Sequence, residues 1–187
     1  MGHYNREVAN MFNANEVALW ILEKAKECGI GISHMQLQKL LYYCQGQYIA
    51  MTGKKLFDEP IEAWEHGPVV RAVYNVFKRH GKSNIPPVAD TAVPEDVAPL
   101  IESIVREKGR FSAYRLRCMT HDEPPYRETE QNEEITPEKL DSFFSPILWG
   151  ESDEHDEDPT FDSPEEERAY FLERITQEER DAIFSTR

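Results

Sequence analysis

Cysteine is scarce in this 187-residue chain, and its scarcity excludes several classes of protein. Cys28, Cys44 and Cys118 stand far apart, so we expect neither a disulfide framework nor a CxxC zinc site. No apolar run approaches the roughly 18 residues that a membrane-spanning helix needs, and residues 1–10 lack the apolar core of a signal peptide. These absences predict a cytoplasmic protein with no membrane partner, in which residues 1–10 are a leader or a disordered extension.

Basic residues are also in short supply. The chain has 21 Lys and Arg against 35 Asp and Glu, a formal net charge of −14. Residues 151–187 contribute 14 acids and 4 arginines, whereas residues 1–150 contribute 21 acids and 17 bases. Such acidity disfavours direct binding to nucleic acid and favours a partner with a basic surface.

Motifs of catalysis and metal binding are missing. The chain has no GxSxG, HExxH, P-loop or GxGxxG motif, and its six histidines are not spaced as metal ligands. His155 lies in an acidic run that is typical of a solvated linker. His121, Asp122 and Glu123 are adjacent and have no nucleophile beside them, so they are a poor acid–base pair. We expect no enzyme, no cofactor and no metal; a hydrolase using His66 or His121 is the weakest alternative.

Helical periodicity dominates the first third of the chain. Residues 13–28 and 33–51 each begin with a capping-box sequence and are predicted helices. In the second helix we expect that Tyr42 and Tyr43 do not both face inward. One predicted buried stripe follows the helical spacing: Leu37, Leu40, Leu41, Cys44, Tyr48 and Met51.

An extended segment is predicted around residues 60–66, where apolar residues alternate with polar ones. Gly67 and Pro68 then favour the start of a helix with proline at its first position. Further helices are predicted over residues 94–108, 112–119 and 136–144, separated by loops at 84–94 and 120–131. The expected fold is mainly α: a compact multi-helix domain over residues 11–149 with one short strand or extended segment.

The composition changes at residue 150. Residues 151–158 are almost all acidic and indicate a linker, and an amphipathic helix is predicted from residue 163. Two interpretations of residues 150–187 stay open. The tail either docks on a partner, or its helix folds back to complete the core.

The segment from Trp64 to Pro68 is the best candidate for recognition. It places an aromatic ring, the imidazole of His66 and a rigid turn next to a predicted helix start. Free N–H groups there suit an anion or a partner carboxylate. The alternative is a turn that only sets the direction of the next helix.

Two stretches resemble a known family. The first comprises LQKLLYYCQG (37–46), GKKLF (53–57), IEAWEHGPV (61–69) and Val73-Tyr74, and the second is MTHDEPP (119–125). This pattern is similar to the Panacea domain of SocA-like antitoxins and phage-associated GepA-like proteins, over about residues 13–144. The chain departs from the family at Pro125-Tyr126, where proline and tryptophan are usual.

The resemblance implies a mainly helical antitoxin of a type II toxin–antitoxin system, often carried by phages or mobile elements. It implies neutralisation of a cognate toxin by direct binding, and we expect the toxin to have a basic active-site surface. Many members add a DNA-binding segment, but no basic helix-turn-helix is present here. The alternative is a proteolytic adaptor or phage-encoded regulator of a host protein, with the tail contacting the protease or target.

The expected partner-binding residues fall into three groups. Trp64 is the expected aromatic anchor, since aromatic residues are enriched in binding hot spots. The first group surrounds the turn: Phe57, Asp58, Trp64, His66, Pro68 and Tyr74. His121 and Glu123 come from the second motif, and Tyr170, Phe171 and Ile175 in the tail are weaker candidates.

Overall fold

The computed structural model describes residues 11–87 and 89–149. The predicted leader 1–10 and the tail 150–187 lie outside the described residues. The elements are α1 (Ala14–Glu27), α2 (His34–Thr52), β1 (Ile61–Trp64), β2 (Gly67–Val70), α3 (Arg71–Phe77), a 3₁₀ turn (Lys78–His80), α4 (Ala98–Lys108), α5 (Ala113–Asp122), α6 (Pro124–Arg127) and α7 (Pro137–Trp149). The predicted mainly α fold class is confirmed, and none of the helices in this part is long and apolar enough to cross a membrane.

The first two helices begin where their capping boxes place them. Asn13 caps α1 and Ser33 caps α2, and in each helix the third residue returns the hydrogen bond to the cap. These reciprocal bonds satisfy backbone N–H groups that a helix otherwise leaves open. Gly53 ends α2 in the left-handed conformation, with φ at 68°, which glycine adopts without steric cost.

Helix α2 is the centre of the domain and is buried around almost its whole circumference. It contacts α1, α3, α4, α5, α7 and β2. The expectation that Tyr42 and Tyr43 do not both face inward is therefore wrong: their side chains are 0% and 2% exposed. The expectation that Met51 is buried is also wrong, because at the C-terminal end of α2 it is 53% exposed.

The predicted extended segment is strand β1, and it pairs with a strand that was not predicted. β1 and β2 form an antiparallel hairpin in which Ala63 lies opposite Pro68. The prediction that Pro68 opens a helix is wrong, since α3 begins only at Arg71. Ala63 instead exchanges backbone hydrogen bonds with Asn132 and Glu133 on its other edge. The missing N–H of Pro68 thus faces no ladder partner, so proline is tolerated there.

The C-terminal half of the domain is more helical than predicted. α4 starts at Ala98, so Pro99 lies in the first turn, where it breaks no hydrogen bond. α5 continues to Asp122 and α6 follows it, so the predicted loop at 120–131 is wrong over its first half. α7 continues through Pro146 to Trp149, beyond its predicted end at residue 144.

Candidate partner-binding site

A cleft with a volume of about 230 Å³ opens between the start of α2, the hairpin and α3. Trp64, His66 and Tyr74 line it, which brings together three of the residues predicted to bind a partner. α2 contributes lining residues that were not predicted: His34, Met35, Gln38 and Lys39. We call this site the α2–hairpin cleft.

Aromatic rings form one wall of the α2–hairpin cleft. The rings of Trp64 and Tyr74 meet edge to face with centroids 5.0 Å apart, and His34 contacts Tyr74 in the same way at 5.5 Å. Trp64 and Tyr74 are half-buried, so each presents part of its ring to solvent. Two cations lie over these rings: Arg71 over Trp64 at 5.1 Å and Lys78 over Tyr74 at 5.6 Å. This wall suits an apolar group with an acidic neighbour.

Glu62 fixes the position of Trp64. Its carboxylate accepts a 2.8 Å hydrogen bond from the indole N–H and two from the guanidinium of Arg71. The hydrogen bonds from Arg71, and then the one from Trp64, lower the pKa of Glu62. The ring of Trp64 is thereby held in place before any partner arrives, which reduces the entropy lost on binding.

Lys39 supports the turn of the hairpin from below. Its side chain is fully buried, and its ammonium donates to the carbonyls of His66 and Pro68. Burial, reinforced by the charge of Arg117, holds the pKa of Lys39 well below its usual range. Gly67 stands directly above, with φ at 92°, and a Cβ there would lie 2.6 Å from the lysine Nζ. The turn therefore requires glycine for its conformation and for its closeness to Lys39.

The second sequence motif adjoins the hairpin. Tyr126 donates a 2.8 Å hydrogen bond to the carbonyl of Trp64, and the ring of His121 lies 4.3 Å from the ring of Tyr126. Glu123 does not line the cleft, and it accepts a 2.7 Å hydrogen bond from the hydroxyl of Tyr43. Burial raises the pKa of Glu123 to about 7. This motif therefore contacts the cleft only indirectly, through the hydrogen bond from Tyr126 to Trp64.

The remaining predicted residues lie elsewhere. Phe57 is fully buried in the core, and Pro68 is buried within β2. Asp58 is exposed, does not line the cleft, and pairs with Lys55 at 3.4 Å. The tail candidates Tyr170, Phe171 and Ile175 lie outside the described residues. Trp64, His66 and Tyr74 are therefore the predicted residues on which a binding surface can be built.

The α2 residues of the cleft were missed because the sequence of α2 was interpreted as core. One signal was available: Gln38 and Lys39 are polar residues that lie between the apolar Leu37 and the run from Leu40 to Cys44. Polar groups in such surroundings need specific hydrogen-bond partners. In residues 11–87 and 89–149, no group of three His, Cys, Asp or Glu side chains is placed to hold a metal ion.

Residues 37–127 match the family model described as antitoxin SocA-like, Panacea domain. This part of the chain is therefore similar to the Panacea domain. This range includes α2 from residue 37, the hairpin, α3 and the second motif, and hence every residue named above as lining the cleft except His34 and Met35. The resemblance that the sequence motifs predicted is thus confirmed.

A curated relative supports the same assignment. Antitoxin SocA of Caulobacter vibrioides (strain NA1000 / CB15N) is 31% identical over 122 residues. The aligned region covers 58% of this chain and 65% of the relative, so just under two thirds of that protein is matched. No solved structure matches the chain.

Proposed function

We propose that this protein is the antitoxin of a type II toxin–antitoxin pair and neutralises its cognate toxin by direct binding. The observation that carries the proposal is the match to a relative named as an antitoxin, together with the family match over residues 37–127, which include most of the cleft. Binding without catalysis is supported by a half-exposed aromatic wall held rigid by Glu62 and Arg71. The acidic composition favours a toxin with a basic surface elsewhere on the interface.

The proposal is tested by expressing the gene adjacent to this one, alone and together with the chain. We expect the neighbour to arrest growth alone and the pair to grow, with the two proteins co-purifying as a complex. A neighbour that is harmless alone, or that stays toxic in the pair, contradicts the proposal. If the neighbour's level falls only when a host protease is present, the proteolytic adaptor is the better explanation.

The binding role of the aromatic wall gives a second prediction. We expect Trp64→Ala to weaken the complex by about 2 kcal/mol, roughly 30-fold in Kd, because central aromatic anchors of interfaces contribute that much. Calorimetry on the purified pair measures it, and circular dichroism checks that the variant is folded. Met51→Ala removes an equally apolar, more exposed side chain at the far end of α2 and is the matched control. Equal affinities for the two variants would exclude Trp64 from the interface.

A further inference from the structure

We propose that the α2–hairpin cleft binds an acidic side chain of the partner polypeptide, while an apolar residue beside that side chain packs on Trp64 and Tyr74. The identity of the partner rests on the proposed function, whereas the chemistry of the cleft rests on the residues described below. Four features of the cleft point to this occupant: an unsatisfied donor, a buried ammonium, a basic border and a small volume.

Gln38 supplies the unsatisfied donor. Its side chain is 2% exposed, and its Oε1 accepts a 2.8 Å hydrogen bond from the backbone N–H of Val70. That bond fixes the orientation of the amide, because only the oxygen can accept from an N–H group. Among the residues that the structure describes, no group accepts a hydrogen bond from Gln38 Nε2. A buried donor of this kind indicates that its acceptor comes from a bound molecule.

Lys39 adds a cation to the same wall. Its ammonium has three N–H groups, of which the carbonyls of His66 and Pro68 occupy two. Burial and the guanidinium of Arg117 both disfavour its charged form. A carboxylate in the cleft reverses that balance, since a nearby anion stabilises the ammonium. His34 and Met35 place the N-terminal turn of the 19-residue α2 at the cleft, and the helix dipole there also favours negative charge.

The border of the cleft is basic although the chain as a whole is acidic. Residues 66–89 contain no Asp or Glu and four Lys or Arg, in a chain of net charge −14. Lys78 lies over Tyr74 at the cleft, and Arg71 lies over Trp64. Two acids lie near the cleft: Glu62 is neutralised by Arg71, and Glu65 lines the cleft but is exposed to solvent. The local charge therefore complements an acidic segment, in contrast to the basic surface that the net charge favours elsewhere.

The volume of the cleft selects the size of the occupant. About 230 Å³ is below the range of roughly 300–1,000 Å³ that is usual for cofactor and small-molecule sites. A single carboxylate side chain with part of an apolar neighbour suits this space better than a nucleotide or a prosthetic group. The Trp64 and Tyr74 rings then contact the apolar neighbour while Gln38 and Lys39 face the carboxylate.

The experiment uses two capped peptides and the full 187-residue chain labelled with ¹⁵N. N-acetyl-Leu-Glu-Leu-amide carries the acidic side chain, and N-acetyl-Leu-Gln-Leu-amide is its neutral isostere. We expect the glutamate peptide to shift the side-chain amide signals of Gln38 and the indole signal of Trp64, with a Kd about tenfold lower than that of the glutamine peptide. This preference should shrink at high salt, because the border charges are exposed.

Substitutions assign the preference to the cleft. Gln38→Glu keeps the oxygen that accepts from Val70 but replaces the Nε2 donor, so we expect the glutamate peptide to bind at least about tenfold more weakly. Lys78→Gln, on an exposed residue, should weaken binding of the glutamate peptide a few-fold. This variant replaces Gln38→Glu in the experiment if Gln38→Glu does not fold. Arg106→Gln, which removes one exposed ion pair on α4, is the control and should leave the Kd unchanged.

Several outcomes would overturn the proposal. These are equal affinity for the two peptides, affinity unaffected by both Gln38→Glu and Lys78→Gln, or shifts confined to signals outside the cleft. If the chain neutralises the toxin but does not bind the peptide, only the proposed occupant of the cleft is refuted. If it binds the peptide but does not neutralise the toxin, only the antitoxin role is refuted.

Discussion

Replacing Gly46 with alanine is expected to destabilise the domain by about 3 kcal/mol, the upper end of what overpacking usually costs. Gly46 lies on the face of α2 that contacts α7, and a Cβ there would lie 2.1 Å and 2.2 Å from two ring carbons of Phe144. On an exposed helix surface the same substitution stabilises by about 1 kcal/mol, because alanine is the better helix former. The packing of α7 thus reverses the sign of the helix-propensity effect.

The ring of Phe144 has little room to move away. It meets the rings of Tyr42, Tyr43 and Phe143 with centroid distances of 5.6, 6.1 and 4.9 Å. All but Phe143 are buried, so a displaced Phe144 must push neighbours that are themselves packed. The clash can otherwise be relieved only by a shift of α7 away from α2. Such a shift exposes apolar surface at the largest helix–helix contact among the described residues.

Urea unfolding of the full chain measures this effect. Met51→Ala, on the same helix but exposed, is the control and should change the free energy of unfolding by less than about 0.5 kcal/mol. Combining Gly46→Ala with Phe144→Leu should recover part of the loss, because the smaller side chain makes room for the new methyl group. A double-mutant cycle without this coupling would show that Phe144 is not the obstacle.

The helices that could be predicted from sequence are those whose signals are local. α1 and α2 begin at their capping boxes, and each such box involves residues only three positions apart. β2 could not be predicted in this way. Pro68 suits a strand only because Ala63 makes its hydrogen bonds to Asn132 and Glu133, about seventy positions along the chain. Without knowledge of that long-range partner, Gly67 and Pro68 favour a helix start.

The same distinction separates the predicted from the missed parts of the site. Trp64, His66 and Tyr74 were predicted together because they are near one another in sequence. Gln38 and Lys39 join them only through long-range packing, by bonding to Val70 and to the turn carbonyls. The amphipathic pattern of α2 predicts one buried stripe. In the structure, neighbouring elements pack around the helix and leave almost none of its surface exposed to solvent.

Glu123 gives the second large effect, a pH dependence of stability. Burial raises the pKa of this carboxyl to about 7, whereas its ordinary value is 4.5. Between these values the folded protein keeps a proton that the unfolded chain has released. The stability associated with the protonated carboxyl is therefore complete below pH 4.5 and is lost as the pH rises through 7. A shift of this size corresponds to at most about 3 kcal/mol.

Glu123→Gln isolates this contribution. Glutamine keeps the oxygen that accepts from the hydroxyl of Tyr43 but does not titrate in this range. Relative to the unsubstituted chain, we expect the free energy of unfolding of Glu123→Gln to be about 2 kcal/mol larger, that is more stable, at pH 8 than at pH 5. Lys39 and His34, whose pKa values burial lowers, titrate alike in both proteins and cancel in this comparison.

Urea unfolding of both proteins at pH 5, 6.5 and 8 makes the comparison, and Glu128→Gln, on an exposed residue nearby, is the control. Parallel pH profiles for Glu123→Gln and the unsubstituted chain would show that Glu123 is ionised in the folded state throughout. In that case the hydroxyl of Tyr43 and the ammonium of Lys108, which lies 4.7 Å from the ring of Tyr43, would be sufficient to hold the charge. If instead the difference in the free energy of unfolding between the two proteins shrinks below pH 6.5, Glu123 is a neutral hydrogen-bonding group. It then couples the second motif to the core of α2.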